Sequence, residues 1–416
     1  MNRKFSFHVE NRVAGLLART GILETPHGKI ETPAFIFCAT KGLLKGITAQ
    51  QLRACKSQVI LSNTYHLEIF PGNEKIGRMG GLQKMTGWNG PMLTDSGGYQ
   101  IFAMGHGSVS SEIKGKKNKW NPTLSKINEE GATFRNYLDN SRKKLTPESS
   151  IQIQKNLGAD LILVLDECTP FNVSKDYTRK SMERSHRWAL RSIQEFQRLE
   201  IQDQALYGII QGGTYPDLRD LSIAFNNYQE EFFGIAIGGS LGSDKQTMYR
   251  TIEYMMPKIR EDKPIHLLGI GGVADIFHGI RWGIDTFDCV HPTRLARHGS
   301  ALVKAKYWLE DDKSKPKESI DLNRSRFKED MRVIDSECLC ETCRGGYTRS
   351  YLNYLLKLNE PLAATLLSLH NIYFMNDLME CIRESIRNNK IDEEESKWLV
   401  DELKYQNRKS MNIASD

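Results

Sequence analysis

The sequence predicts an α/β chain built as a (β/α)8 TIM barrel, with a smaller C-terminal module beyond it. Three observations predict this fold. Short apolar, β-rich runs alternate with helix-like stretches; polar residues and glycines stand where those runs end; and a cysteine cluster follows a linker-like stretch late in the chain.

The apolar runs cover 35–39, 58–61, 92–94, 161–165, 206–210, 233–237, 266–270 and 284–287. Their near-continuous apolar character suits parallel strands covered on both faces. Helix-like stretches follow most of them. The longest, 176–200, carries an apolar stripe of Met182, Trp188, Leu190, Ile193 and Phe196; 243–258 and 274–282 are others. Eight βα units fit a closed barrel. A doubly wound open sheet uses the same local pattern and remains the alternative.

The polar residues fall at the run ends. Asp95 follows the third run in TDSGGYQ, and Asp166 and Glu167 follow the fourth in LDECTP. Gln211, Gly212 and Gly213 follow the fifth, and Gly238 and Gly239 the sixth. Gly269, Gly271 and Gly272 close the seventh, and Asp288 ends the eighth in FDCVHPTR. In a barrel these ends converge on one rim, where barrel enzymes keep their active sites. One carboxylate at a strand end also serves as a helix N-cap; Asp95, Asp166 and Asp288 together point to a site.

With 416 residues the chain holds one domain of about 250–300 residues and a smaller module. Hydrophobic residues make up 39% and charged residues 26%, the balance of a soluble globular chain. No apolar run approaches the roughly 18–20 residues of a membrane span. The opening MNRKFSFHVENRV lacks the apolar core of a signal peptide, so a cytoplasmic protein without a membrane partner is expected. The net charge of +6 is mild, but its distribution is uneven. Residues 114–119 read KGKKNK before Trp120, and 291–309 hold four Lys or Arg and no acid. Either patch alone reads as solvated surface. Cys38, Cys55, Cys168, Cys289 and Cys381 stand singly, which fits a reducing compartment without a disulfide framework.

Cys338, Cys340 and Cys343 are clustered, and His370 follows after 26 intervening residues. Three thiolates and an imidazole make a closed tetrahedral set for one structural zinc. The expected division is a catalytic barrel over 1–312, a zinc-binding subdomain with helices over 313–388, and a charged tail over 389–416. KSKPK at 313–317 reads as the linker. Helices are expected at 348–357 and 361–388, and the tail is expected to fray or form a short surface helix.

Two carboxylates across a sugar run a double displacement: one attacks the anomeric carbon, the other handles protons. Asp288 and Asp95 suit these parts. Asp166, with Gln211 and backbone near Gly239, suits the donor and acceptor edge of a nucleobase, and Tyr99 suits stacking on it. Gly269-Ile270-Gly271-Gly272-Val273-Ala274 is a near miss to a dinucleotide fingerprint. Seventh in the array, it suits an RNA phosphate or simply a tight turn.

TDSGGYQ, LDECTP, GIIQGG at 208–213, AIGG at 236–239, FDCVHPTR and the CxCxxC…H set together resemble the tRNA-guanine transglycosylases. So do SNTYHL at 62–67 and EEGATFRNYLD at 129–139, and the resemblance covers nearly the whole chain in order. It implies a zinc-containing (β/α)8 enzyme of queuosine tRNA modification, a pentosyltransferase. Such an enzyme exchanges guanine 34 in U-G-U anticodon loops for a free 7-deazaguanine base, queuine or preQ1. The resemblance implies Asp288 as nucleophile on C1′ and Asp95 as general acid and base. Asp95, Ser96, Gly97, Gly98, Tyr99, Asp166, Gln211, Gly239 and Gly242 would form the base pocket, into which the base is flipped. Gly269, Ile270, Gly271, Gly272, Val273, Ala274 and Asp275 would contact RNA. Thr293, Arg294, Leu295, Ala296 and Arg297 match the segment that recognises the wobble region. A homodimer is implied, one subunit doing chemistry while the other helps hold the tRNA.

The chain departs from the bacterial pattern of this family in two places. After Gly239 the usual Leu-Ala-Val-Gly-Glu is replaced by Ser240-Leu241-Gly242-Ser243-Asp244. Eukaryotic relatives share a glycine at the third position, which suggests room for the bulkier queuine, whereas Cys168 keeps the bacterial identity. Between 102 and 127 the chain is also longer than the pattern, and the extra KGKKNKW is either a basic lid over RNA or a loop. Two other readings stay open: a catalytically silent tRNA-binding subunit, and a barrel glycoside hydrolase.

Overall fold

The computed structural model describes residues 4–100, 124–307, 317–401, 403 and 404. The basic KGKKNKW stretch and almost all of the 106–126 insertion lie outside the described residues, as do the linker except Lys317 and the tail beyond Lys404.

An antiparallel sheet of β1 (Ser6–Arg12), β2 (Arg19–Thr25) and β3 (Gly28–Thr32) precedes the barrel. The barrel then begins with β4 (Ala34–Cys38), β5 (Ile60–Ser62) and β6 (Met92–Thr94). A second antiparallel sheet is inserted after β6: β7 (Leu124–Asn128), β8 (Gly131–Arg135) and β9 (Arg142–Leu145). The barrel resumes with β10 (Leu161–Leu163), β11 (Ala205–Ile210), β12 (Gly234–Ile237), β13 (Ile265–Leu267) and β14 (Thr286–Cys289). These eight strands pair in parallel, and β14 pairs back onto β4 with Phe287 opposite Phe35. The ring is closed and has no edge strand, so the open doubly wound sheet is excluded. A hairpin of β15 (Ser300–Leu302) and β16 (Ser319–Asp321) follows.

Each predicted run lies on its strand within two residues at most ends. The largest shift is at β13, which stops at Leu267, short of the predicted 270, because the chain turns at Gly269, whose φ is +75°. The expected long helix is Lys175–Arg198, capped by the Ser174 hydroxyl on the Tyr177 N–H. Its buried stripe is Met182, Ser185, Trp188, Ala189, Ser192 and Ile193, spaced at three and four residues. Leu190, assigned to that stripe from sequence, is 41% exposed, because two residues past Trp188 a helix has turned about 200° away. The helix predicted over 243–258 is Lys245–Met255, capped by Asp244, and it tightens into the 3-10 turn Met256–Lys258 where Pro257 removes an N–H. The prediction over 274–282 is met by Val273–Arg281.

The base of the barrel is closed by charge as well as by apolar packing. Arg19 of β2 reaches Asp285, just before β14, with Nε at 2.9 Å and Nη2 at 2.6 Å, both side chains almost wholly buried. The same guanidinium donates to the carbonyls of Glu261 and Lys263. Asp285 in turn accepts the Ile265 N–H at 2.7 Å, so the pair fixes the start of β13.

Beyond the hairpin come helices Arg349–Lys357 and Pro361–Arg387. The long one is bonded into the barrel body along its length. Asn371 donates to the carbonyls of Pro292 and Ser300 and accepts the Leu302 N–H. Asn376 donates to the Cys55 carbonyl, and Arg383 to that of Pro33. A last helix, Ile391–Trp398, buries Ile391 and Trp398, the latter edge-on to Phe374 at 5.0 Å. Its charged face therefore marks one side of a docked helix. Among the described residues, no helix is long and apolar enough to cross a membrane, and all eight cysteines are free thiols.

Candidate active site

Asp95 stands at the C-terminal end of β6 and is half-buried. Its Oδ1 accepts the Thr64 N–H at 3.0 Å and the Gly97 N–H at 3.1 Å; Oδ2 accepts Asn63 Nδ2 at 2.5 Å and Gln100 Nε2 at 2.9 Å. Burial nevertheless raises its pKa to about 7, and the nearby charge of Asp288 adds to the rise against these donors. The group therefore changes protonation near neutrality, where a general acid and base works best.

Asp288 lies at the end of β14 with its side chain 11% exposed. Its Oδ1 accepts the Gly269 N–H at 3.0 Å, and Cys38 Sγ lies 3.5 Å from Oδ2. Strand order places β4 beside β14, which brings Cys38 to this carboxylate.

Asp166 and Gln211 follow β10 and β11, which pair directly. Both are buried, and Gln211 Nε2 donates to Asp166 Oδ2 at 2.6 Å. Ser96 Oγ approaches Asp166 Oδ1 at 3.4 Å, so the TDSGG loop and the LDE loop meet here. Gly97 and Gly98 are buried in that turn, Tyr99 is 39% exposed at its lip, and burial lifts the Asp166 carboxyl to about 7. Gly239 is required by close approach: a Cβ there would come within 2.5 Å of Gln211 Oε1. Gly242 has a different reason. Its φ is +126°, and a Cβ would meet Thr247 at 2.6–2.7 Å. A side chain built on this backbone at Gly242 would therefore point at the helix Lys245–Met255.

Sequence reasoning missed Arg219, on the helix Pro216–Tyr228. It is 1% exposed and donates to four carbonyls: Gly213, Ile210, Gly238 and Ser240, at 2.6–3.3 Å. Burial lowers its pKa to about 9. It ties the loop that carries Gln211 to the loop that carries Gly239. Asn63 and Gln100 were also missed as partners of Asp95, although Asn63 lies inside SNTYHL.

On the proposed RNA rim, Gly269 is exposed and Ile270 and Gly272 are half-buried, whereas Gly271, Val273, Ala274 and Asp275 are buried. The N–H groups of Val273 and Ala274 are taken by the Glu318 carboxylate at 2.9 and 3.0 Å. Asp275 accepts the Tyr249 hydroxyl and pairs with Lys245. The exposed edge of this segment is therefore Gly269 with its neighbours Ile270 and Gly272. The helix His291–Arg297 follows β14 directly. Thr293 and Ala296 face inward, Leu295 and Arg297 are half-buried, and Arg294 is exposed. Burial and the nearby Arg294 lower the pKa of Arg297, so the two guanidiniums share one neighbourhood.

Cys338, Cys340, Cys343 and His370 converge, their ligand atoms all within 4.8 Å of one another. The three sulfurs lie 3.7, 3.7 and 3.4 Å from His370 Nδ1. These are the edges of a tetrahedron with metal–sulfur bonds of about 2.3 Å and a metal–nitrogen bond of about 2.0 Å. His370 Nε2 donates to the Leu302 carbonyl at 2.9 Å, which leaves Nδ1 as the metal-facing lone pair. The group can hold a metal ion and has no position left for substrate.

A model of the TGT family, described as queuine tRNA-ribosyltransferase, matches residues 14–402. A queuine tRNA-ribosyltransferase of Roseiflexus sp. (strain RS-1) is 40% identical over 408 residues, 95% of this chain and 99% of the relative. One from Nostoc sp. is 42% identical over 401 residues, covering 96% and 98%. One from Thermoanaerobacter pseudethanolicus is 42% identical over 376 residues, covering 90% and 91%. With the closed barrel, the rim carboxylates and the Cys3His group in place, the chain belongs to the queuine tRNA-ribosyltransferase family.

Proposed function

We propose that this chain is a tRNA-guanine transglycosylase that replaces guanine 34 of U-G-U anticodon loops with a 7-deazaguanine base. The observation that carries the reading is one rim holding Asp95 and Asp288 within electrostatic reach of each other, beside the bonded Asp166–Gln211 pair. Asp288 attacks C1′ as the C1′–N9 bond breaks, and the electron pair leaves with guanine. Protonated Asp95 supplies the proton that guanine takes. In the second half the incoming base loses its N9 proton to ionised Asp95, its N9 attacks C1′, and the bond to Asp288 breaks. Ionised Asp166 accepts from N1–H and the exocyclic amine of the base, and Gln211 and the Gly239 backbone complete the edge. Tyr99 stacks on the flipped base. Arg294 and Arg297 hold the RNA around the wobble position, with Gly269 to Asp275 beside them.

We assign one structural zinc to Cys338, Cys340, Cys343 and His370; when bound it neutralises the thiolates and pins helix Pro361–Arg387 to the cysteine loop. Residues 1–312 form the catalytic barrel and 313–388 the zinc module. The chain works in the cytoplasm, where its free thiols stay reduced. It acts as a homodimer through a stripe at helical spacing, Tyr351, Tyr354 and Leu358, which are 40%, 58% and 51% exposed. Both carboxylates are in place, which argues against a silent binding subunit.

The test is base exchange in guanine-34 tRNA with preQ1 and with queuine, together with isolation of a covalent tRNA–enzyme adduct. The native chain exchanges base and forms the adduct, and it carries one zinc per chain by metal analysis. D288A does neither while remaining folded. Exchange by D288A at the native rate would remove the nucleophile assignment, and guanine release without an incoming base would favour hydrolysis.

A further inference from the structure

We infer that His266 is a positioning residue for Asp288: its Nε2–H holds one carboxylate oxygen while the other attacks the sugar. This rests on Asp288 being the nucleophile. His266 sits on β13 with its side chain wholly buried. Its Nδ1 lies 3.0 Å from Thr286 Oγ1, and its Nε2 lies 3.3 Å from Asp288 Oδ1. Thr286 and Asp288 are two residues apart on β14, so both side chains leave the same face of the strand. The imidazole bridges them.

Nε2 is buried and has no well-aligned hydrogen bond among the described residues. Buried polar atoms are seldom left unused, and the carboxylate stands close by. A bare lone pair at 3.3 Å would repel a carboxylate oxygen, so Nε2 carries hydrogen and the Thr286 hydroxyl donates to Nδ1. The N–H does not yet point along the line to Oδ1. Such contacts tighten when the reacting complex forms.

The two oxygens of Asp288 then differ. Oδ1 faces the Gly269 N–H and His266, whereas Oδ2 faces the Cys38 thiol, a weak donor. Oδ2 is the freer oxygen and forms the bond to C1′ as guanine departs with its electron pair and a proton from Asp95. When the second base attacks, the C1′–Oδ2 bond breaks and negative charge returns to the carboxylate. His266 and Gly269 receive that charge at Oδ1. Losing the His266 donor therefore hinders breakdown of the intermediate more than its formation.

The experiment compares H266F, H266Q and T286V in steady-state exchange and in rapid-quench measurement of the covalent tRNA adduct. In H266F, kcat falls about tenfold or more, the KM for tRNA does not rise, and the adduct accumulates. H266Q, whose amide places an N–H near the Nε2 position, recovers most of the rate. T286V keeps the ring but releases the tautomer, and falls between. A folded H266F with kcat within about twofold of native and no extra adduct overturns the inference. So does a loss that falls equally on both half-reactions. Should H266F not fold, T286V is judged by the same two readouts. An adduct in D288A would instead overturn the nucleophile reading, which separates the two failures.

Discussion

Asp95 and Asp166 show how a single environment sets a residue's chemistry. Both accept good hydrogen bonds, yet burial outweighs these and lifts both carboxyls to about 7. In the proposed reaction Asp95 is protonated as guanine leaves and ionised as the incoming base reacts. Exchange should therefore follow a bell-shaped pH profile centred near 7, and D95N should lose about a hundredfold or more in rate across it. A rate that stays flat from pH 5.5 to 8.5, roughly the span over which such a group titrates, would exclude Asp95 from proton transfer. Stability carries the same signature. A carboxyl near 4 when unfolded and near 7 when folded binds more protons in the folded state between those values, so stability falls as pH rises through that window. Relative to the native chain, D95N and D166N should gain about 1 kcal/mol or more between pH 4 and pH 8 in urea unfolding. An unchanged difference would mean that these groups titrate at ordinary values.

At the scale of elements, the loops that carry Gln211 and Gly239 are tied together by one buried residue. Arg219 projects from the helix after β11 and spans the loops after β11 and β12 by bonding four carbonyls. Without it the buried carbonyls of Gly238 and Ser240 would lose this donor, at a cost of about 1–3 kcal/mol for each group left unsatisfied, whereas Ile210 keeps the Gly238 N–H. R219M should raise the KM for the free base at least tenfold, roughly the effect of 1.4 kcal/mol in binding, and lower the urea midpoint. Unchanged base affinity in a folded R219M would show that the loops hold their shape alone. The Glu318 carboxylate does similar work at the N-terminus of Val273–Arg281, tying the β15–β16 hairpin to the loop that carries Gly269.

For the whole molecule, the catalytic rim is held by contacts far from it. Arg19 and Asp285 close the opposite end, and Pro361–Arg387 ties the Cys3His group to the barrel through Asn371, Asn376 and Arg383. The proposed dimer would use the exposed Tyr351, Tyr354 and Leu358. Y354E should shift sedimentation from dimer to monomer and weaken tRNA binding while the Cys3His site keeps its metal. A native chain that sediments as a monomer at micromolar concentration would remove the dimer.

The sequence by itself determined the eight barrel strands, the order of the rim carboxylates and the Cys3His ligands. Each is a local signal: a buried parallel strand reads as a short apolar run, and ligands or strand-end acids keep their spacing whatever surrounds them. It did not reveal the sheet from Ser6 to Thr32, whose first strand alternates exposed and half-buried positions and carries no long apolar run. Nor did it mark Arg219, His266 or Asn63, whose partners come from other strands or loops, or Gln100, which bonds Asp95 from within its own loop. Leu190 misled because composition suggested a stripe that the helical turn breaks, and at Gly242 a missing side chain does not by itself say which way the space faces. Only the tertiary structure decided these, because barrel closure brings together groups that are far apart in the chain, and burial then sets what each one can do.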